Sequence, residues 1–283
     1  MLIGGVILIY KCTESHRELV LDFLSTDPIL NLFVIGDIET YGFDSLDQDV
    51  WAYTNEEEQI TGVLLRYKEN AIPVHGTQFT GFETFLPLLQ SLEEVQVISG
   101  EKATIDQYID YFPDLEATET VLSICSELTT EADAIYSVEK LKKEDIPSYL
   151  NLQKACFKKE SESEMTLSDM LNNETVLIHV IKNESGEVVS AGRLAVESAA
   201  AGMIIGVGTV ETERGKGYAS AVVASLAQVC LAKGKKACLF YHDTKAGSLY
   251  HHLGFQDTGE VWSMLKPKEE KAKKNFFEEL ATE

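Results

Sequence analysis

The sequence predicts two tandem α/β units, each built of strands flanked by helices, and three observations lead there. The chain has 283 residues, about twice the usual domain length. Its apolar fraction of 45%, charged fraction of 25% and only 6 Pro are those of a globular protein with a real core. One order of strands and helices also occurs twice, at an offset of about 130 residues.

In the first half, apolar alternation marks a strand over 6–11, and a helix follows over 14–25. Asp27-Pro28 reads as a helix start, an N-cap followed by Pro at the first helical position. Strands near 50–54, 60–67 and 71–75 come next, then helix 82–92, strand 95–98, helix 101–111 and strand 120–125. The second half gives strand 135–141, helix 144–157, a short helix near 164–172, and strands near 175–182, 187–197 and 202–210. A longer helix runs from Gly217 to Lys233 and stops at Gly234, a natural left-handed cap. Strand 237–241, helix 244–253 ended by Gly254, and a strand near 260–265 complete the series. The expected organisation is residues 1–133, residues 134–266 and a charged tail over 267–283.

Charge excludes some partners. The net charge of −22 argues against nucleic acid, whose binding rests on Lys and Arg neutralising phosphates. It is unevenly spread: residues 1–133 carry 5 basic and 25 acidic side chains, residues 134–283 carry 19 and 21. The second half is therefore the one suited to an anionic ligand. Met1–Tyr10 is far shorter than the ~20 apolar residues of a bilayer span, so no membrane partner is expected. Cys12, Cys125, Cys156, Cys230 and Cys238 are odd in number and without a CxxC pair, which suits reduced thiols and a cytoplasmic location, with no disulfide and no zinc.

The sharpest local signal runs from Val207, Gly208, Thr209 and Val210 through Glu211-Thr212-Glu213 to Arg214-Gly215-Lys216-Gly217-Tyr218-Ala219, between an apolar strand and an amphipathic helix. Glycines there let backbone N–H groups approach phosphate oxygens, and the helix start adds unpaired donors and the positive end of its dipole. Arg214 and Lys216 add charge, and Ala219 is small enough for close approach. A nucleoside-triphosphate loop would need Gly at 210 and Ser or Thr at 217, where Val210 and Gly217 stand. A dinucleotide fingerprint would need a third Gly at 211 or 220, held by Glu211 and Ser220.

Arg214-Gly215-Lys216-Gly217-Tyr218-Ala219 resembles the (Gln/Arg)-x-x-Gly-x-(Gly/Ala) motif of the GNAT superfamily of N-acetyltransferases. Asp243-Thr244-Lys245-Ala246-Gly247-Ser248-Leu249-Tyr250, followed by His251-His252-Leu253-Gly254-Phe255, is similar to a second signature of that family, Asn-x-x-Ala-x-x-x-Tyr-x-x-x-Gly-Phe. The resemblance covers roughly residues 134–266. It implies a mixed, mostly antiparallel sheet splayed between two central strands, with the pyrophosphate of coenzyme A on the loop. Asp243 stands where Asn is commoner, and an ionised carboxylate accepts hydrogen bonds but cannot donate. The first half repeats the element order, but its corresponding junction, Val74-His75-Gly76-Thr77-Gln78-Phe79-Thr80-Gly81, has no Arg or Lys. It reads as a degenerate, non-catalytic copy.

Acetyl transfer needs an uncharged amine, a polarised thioester carbonyl and a protonated leaving thiolate. By the resemblance, Tyr250 protonates the thiolate and backbone N–H groups near Thr209 and Val210 polarise the carbonyl. Glu211 and Glu197 are the candidate bases, with a water chain as the alternative. His242, His251 and His252 lack metal-ligand spacing, so no metal is expected. The reading is an acetyl-CoA-dependent N-acetyltransferase acting on a small-molecule or peptide amine, cationic if the acidic half steers it. The alternative is a non-catalytic acyl-CoA-binding sensor or interaction protein.

Overall fold

A computed structural model describes residues 8–129, 136–157 and 163–268. The first half forms β1 (Leu8–Lys11), α1 (Arg17–Leu24), α2 (Leu32–Tyr41), β2 (Gln48–Thr54), β3 (Ile60–Tyr67), β4 (Asn70–His75), α3 (Phe82–Gln90), β5 (Val97–Glu101), α4 (Lys102–Ile105) and β6 (Leu115–Cys125). The second forms β7 (Glu139–Lys140), α5 (Ile146–Phe157), α6 (Glu164–Asn172), β8 (Leu177–Lys182), β9 (Val188–Glu197), β10 (Ala201–Thr209), α7 (Tyr218–Ala232), β11 (Lys236–Tyr241), α8 (Thr244–His252) and β12 (Gln256–Pro267).

One topology occurs twice. In each unit four strands pair antiparallel in succession, β1 to β4 in one and β7 to β10 in the other. A helical crossover then returns the chain to a parallel neighbour, β5 beside β4 and β11 beside β10. A parallel pair demands such a crossover, so α3 and α7 follow from the sheet order. The α/β class and the repeated order expected from the sequence are both present.

The compact units are not contiguous in sequence. Among the described residues, one falls within 8–23, 43–119 and 262–268, the other within 24–42 and 120–261. Strand 120–125 was expected to close the first half. It instead pairs antiparallel with β11, Val121 opposite Tyr241 through Cys125 opposite Ala237. Trp262–Leu265 of β12 pair with Ile98–Glu101 of β5. Each unit thus takes its last strand from the other half of the sequence. Alternating apolar residues make a segment a strand, but its partner is set by long-range packing.

α2 also departs from expectation. Asp27-Pro28 opens a turn rather than the helix: Asp27 Oδ1 accepts from the Leu30 N–H at 3.0 Å, and the helix begins at Leu32 after Asn31. Its Leu32 joins Leu122, Ala201, Met203 and Cys238 in an apolar cluster, and Phe33 stacks on Phe240 at 6.0 Å. At Gly36 a Cβ would stand 2.3 Å from Val196 Cγ1, so only glycine lets the helix lie this close to β9. α7 packs with Val222, Val223, Leu226, Ala227 and Cys230 buried, its small side chains bringing the helix axis near the strands.

A fragment of residues 134–283 lacks both β6, the strand hydrogen-bonded between β11 and β12, and α2. It would expose the facing edges of both strands and the apolar cluster at Met203 and Cys238, so no cooperative unfolding is expected in a circular-dichroism melt. A sharp transition from that fragment would show that its unit closes without the borrowed elements.

Candidate active site

The site begins where two strands part. β10 and β11 are paired only from Ala201–Ile204 to Lys236–Leu239. Beyond Ile204 the register of β10 against β9 shifts between Ile205 and Gly208, and Gly206 adopts a positive φ of 63°. An inserted residue of this kind bends and twists a strand, here turning Val207, Gly208 and Thr209 away from β11. Val207 is partly buried against the α7 cluster. Gly208 is held closely on the other side, since a Cβ there would lie 3.0 Å from Cys156 Sγ.

Val210 N–H donates to the Val189 carbonyl at 3.0 Å, so the expectation for Val210 is not met. Strand alternation then turns the Thr209 N–H the other way, into the opening. The Thr209 hydroxyl is bonded to Ser190 Oγ at 2.8 Å, and its carbonyl accepts from Arg214 Nε at 3.1 Å.

After Thr209 the chain turns through Glu211–Glu213 and reaches Gly215 and Gly217, with φ of 80° and 86°. Both lie in the left-handed region where a Cβ is strained. Among the described residues, none accepts a hydrogen bond from the N–H groups of Gly215, Lys216, Gly217, Tyr218 or Ala219. Unspent amides therefore converge on the start of a fifteen-residue helix, where its dipole is positive. The turn is braced: Tyr136 OH donates to the Lys216 carbonyl, and the Tyr136 ring meets Tyr218 edge-on at 5.0 Å. Lys216 Nζ lies 2.7 Å from Glu213, which raises its pKa. Burial raises the pKa of the Cys156 thiol while the neighbouring Arg214 charge pulls it down, leaving a net rise.

β11 delivers the chain to α8. Asp243 is its N-cap, Oδ1 accepting from the Lys245 N–H at 2.8 Å, so this carboxylate is engaged in holding the helix. Ala246 packs against the α7 cluster, and Tyr250, one turn further on, is buried between Tyr241 at 5.8 Å and Phe255 at 6.0 Å. Burial pushes the Tyr250 phenol above its ordinary value, so it keeps its proton at neutral pH. A network missed by the sequence reading fixes this helix. Tyr241 OH donates to Asp257 at 2.8 Å, His251 Nε2 lies 3.0 Å from the same carboxylate, and a Cβ at Gly247 would strike the Tyr241 ring at 2.5 Å. Burial favours protonation of Asp257, but hydrogen bonds from His251 and Tyr241 outweigh it and hold the carboxyl below its usual range. The short spacing of His251 and Asp257 across the Gly254 turn was the available signal.

The two candidate bases are far apart in character. Glu211 is exposed at the start of the loop. Glu197 lies at the opposite end of β9, where Lys233 and Lys235 each reach it at 2.8 Å. Burial works to raise its pKa, but those two lysines prevail and lower it, which disfavours proton acceptance. The expectation that Glu197 stands near the reacting groups is therefore corrected. His242 and His252 are solvent-facing, and no group of three or more potential metal ligands occurs among the described residues.

A family model described as FR47-like protein matches residues 184–263, the stretch from the turn before β9 into β12. No curated protein matches the chain. Among solved structures, a GCN5-related N-acetyltransferase from Sphaerobacter thermophilus has a TM-score of 0.64 at 13% identity, covering 92% of this chain and 95% of that one. A GCN5-related N-acetyltransferase-like protein from Streptococcus suis has a TM-score of 0.57 at 16% identity, with coverage of 91% and 100%. A tandem GNAT protein from the clavulanic acid biosynthesis pathway has a TM-score of 0.61 at 9% identity, with coverage of 92% and 98%. The bulged and parted strands, the glycine turn and these likenesses agree: the chain is built on the fold of the GCN5-related N-acetyltransferases, the GNAT superfamily, repeated in tandem.

Proposed function

We propose that the protein is an acetyl-CoA-dependent N-acetyltransferase in which a primary amine attacks the thioester directly, in a ternary complex. The observation that carries this reading is the row of unspent amides from Gly215 to Ala219 at the N-terminus of α7. Backbone donors at a helix start suit a pyrophosphate, and Arg214 and Lys216 add cations beside them. Bound acetyl-CoA supplies the activated acyl carbon. The Thr209 N–H, turned into the strand opening, then stabilises negative charge developing on the carbonyl oxygen. Tyr250 holds a proton at its phenol for the departing sulfur, and the Tyr241–Asp257–His251 network keeps α8 in place. Proton removal from the amine falls to Glu211 or to water, since Glu197 is committed to two lysines.

Catalysis is assigned to residues 134–266, with residues 1–133 non-catalytic. The corresponding junction in the first half supports this. Gly76 N–H donates to the Thr61 carbonyl at 2.8 Å, and Phe79, Thr84 and Phe85 N–H groups are likewise bonded within the turn. His75 stacks on Phe79 at 3.9 Å and is 3.0 Å from Tyr108 OH. Burial drives the His75 pKa down to about 4, so its ring is neutral there. Residues 74–81 also include no Arg or Lys to set beside a phosphate.

Calorimetry with acetyl-CoA together with thiol release on an amine panel tests the assignment. Binding without release for any amine would favour an acyl-CoA sensor instead. Gly215→Ala forces a Cβ into left-handed backbone and is expected to weaken acetyl-CoA by about tenfold, corresponding to the ~1–2 kcal/mol of that strain. Unchanged affinity would remove the loop amides from the site. Tyr250→Phe is expected to lower turnover by roughly a hundredfold with little change in acetyl-CoA affinity, and an unchanged rate would exclude it as the proton donor. If the acidic first half steers the acceptor, cationic amines react faster than neutral ones at low salt and the difference shrinks as salt rises; equal rates would refute steering.

A further inference from the structure

A second concavity lies in the same unit, away from the loop. It has a volume of about 740 Å³. Its lining includes Leu194, Ala195 and Glu197 of β9, and Gly202–Ile204 of β10 pair with that part of β9 where β10 and β11 are still joined. Val229 and Lys233 line it from the far end of α7. Lys233 is sixteen residues beyond Gly217, which at 1.5 Å per helical residue separates the cleft from the amide row by roughly 24 Å.

The lining has two characters. Buried Leu141, Val176, Ile178 and Leu194 supply an apolar floor. Exposed Lys140, at the end of β7, and Lys142 and Lys143, between β7 and α5, supply a cationic rim. None of these three lysines forms an ion pair with another described residue, whereas the charge of Lys233 is answered by Glu197 at 2.8 Å. Glu174 is the other acidic residue of the lining, so the rim keeps a positive excess in a chain of net charge −22. The size is that of a small-molecule site. An apolar floor gives an inorganic anion nothing to bury, and an uncharged hydrocarbon leaves the lysines unanswered. A ligand that satisfies both has an aliphatic chain and one anionic end.

We propose that this cleft binds a small aliphatic carboxylate, its chain on the apolar floor and its carboxylate among Lys140, Lys142 and Lys143. The site is separate from the glycine turn and does not depend on what that turn holds.

Octanoate is the probe, titrated into the full chain by calorimetry, with 1-octanol as its uncharged match. One octanoate is expected to bind per chain, at least tenfold more tightly than octanol and without displacement by acetyl-CoA. The Lys140→Ala, Lys143→Ala double variant is expected to weaken octanoate by about tenfold while leaving octanol unchanged. The corresponding double arginine variant retains binding, and Glu174→Gln strengthens it; a thermal melt reports the fold of each variant. Absent binding, equal affinity for octanoate and octanol, wild-type affinity in the double alanine variant, or displacement by acetyl-CoA would each overturn the proposal. The octanol comparison needs no variant and decides the matter even if the alanine pair fails to fold.

Discussion

The site depends on one departure from sheet pairing, the parting of β10 from β11 after Ile204. Strand amides in a folded core are ordinarily spent on neighbouring carbonyls, and leaving them unspent costs free energy. Here the bulge at Gly206 withdraws β10 from its parallel neighbour, and the two left-handed glycines turn the following amides outward at a helix start. Both steps keep donors available that an ordinary sheet and turn would consume. The surrounding structure bears the cost through the close packing of Gly208 on α5, the Arg214 bond to the Thr209 carbonyl and the Tyr136 brace on Lys216.

The two units differ at this junction in cations and in aromatic packing, with Arg214 and Lys216 in one and stacked His75 and Phe79 in the other. Both have a parallel strand pair and a crossover helix. In the first unit the Gly76 and Phe79 N–H groups are bonded within the junction, no Arg or Lys lies in residues 74–81, and the Phe79 ring comes within 2.4 Å of where a Gly62 Cβ would be. Aromatic burial there gives stability from the same region that the second unit leaves polar and open. Tyr108 and Tyr250 express the same contrast. Tyr108 is fully buried and tied to His75, while the Tyr250 phenol has no hydrogen-bond partner among the described residues.

Much of this was legible from residue patterns because the causes are local. Gly215 and Gly217 announce left-handed backbone, the small apolar run from Ala219 to Ala232 announces a buried helix, and Asp243 announces an N-cap. What could not be read has non-local causes. Alternation in Val121–Cys125 fixes a strand but contains nothing that selects β11 as its neighbour. The apolar face of α2 fixes a buried helix but not which sheet it covers. Glu197 looked like a strand-end carboxylate near the chemistry because the ion pairs that neutralise it come from Lys233 and Lys235, more than thirty residues away. Val210 was misjudged by a single residue, since the bulge decides which amides face the opening and a bulge leaves no mark beyond one glycine.

The borrowed elements bear on how such a site persists. The unit that holds the glycine turn includes α2 and the end of β6, both encoded ahead of it, and its core cluster at Met203 and Cys238 is completed by Leu32 and Leu122. The strands flanking the opening are thereby fixed by apolar contacts on the sheet face opposite α7. A parted strand pair would otherwise tend to close, since pairing the free amides of β10 lowers the energy of an isolated sheet. Packing Phe33 against Phe240, the first residue of β11 beyond the paired register, holds that strand from the other side. The first half of the sequence therefore contributes directly to the geometry of the strand opening in the second half.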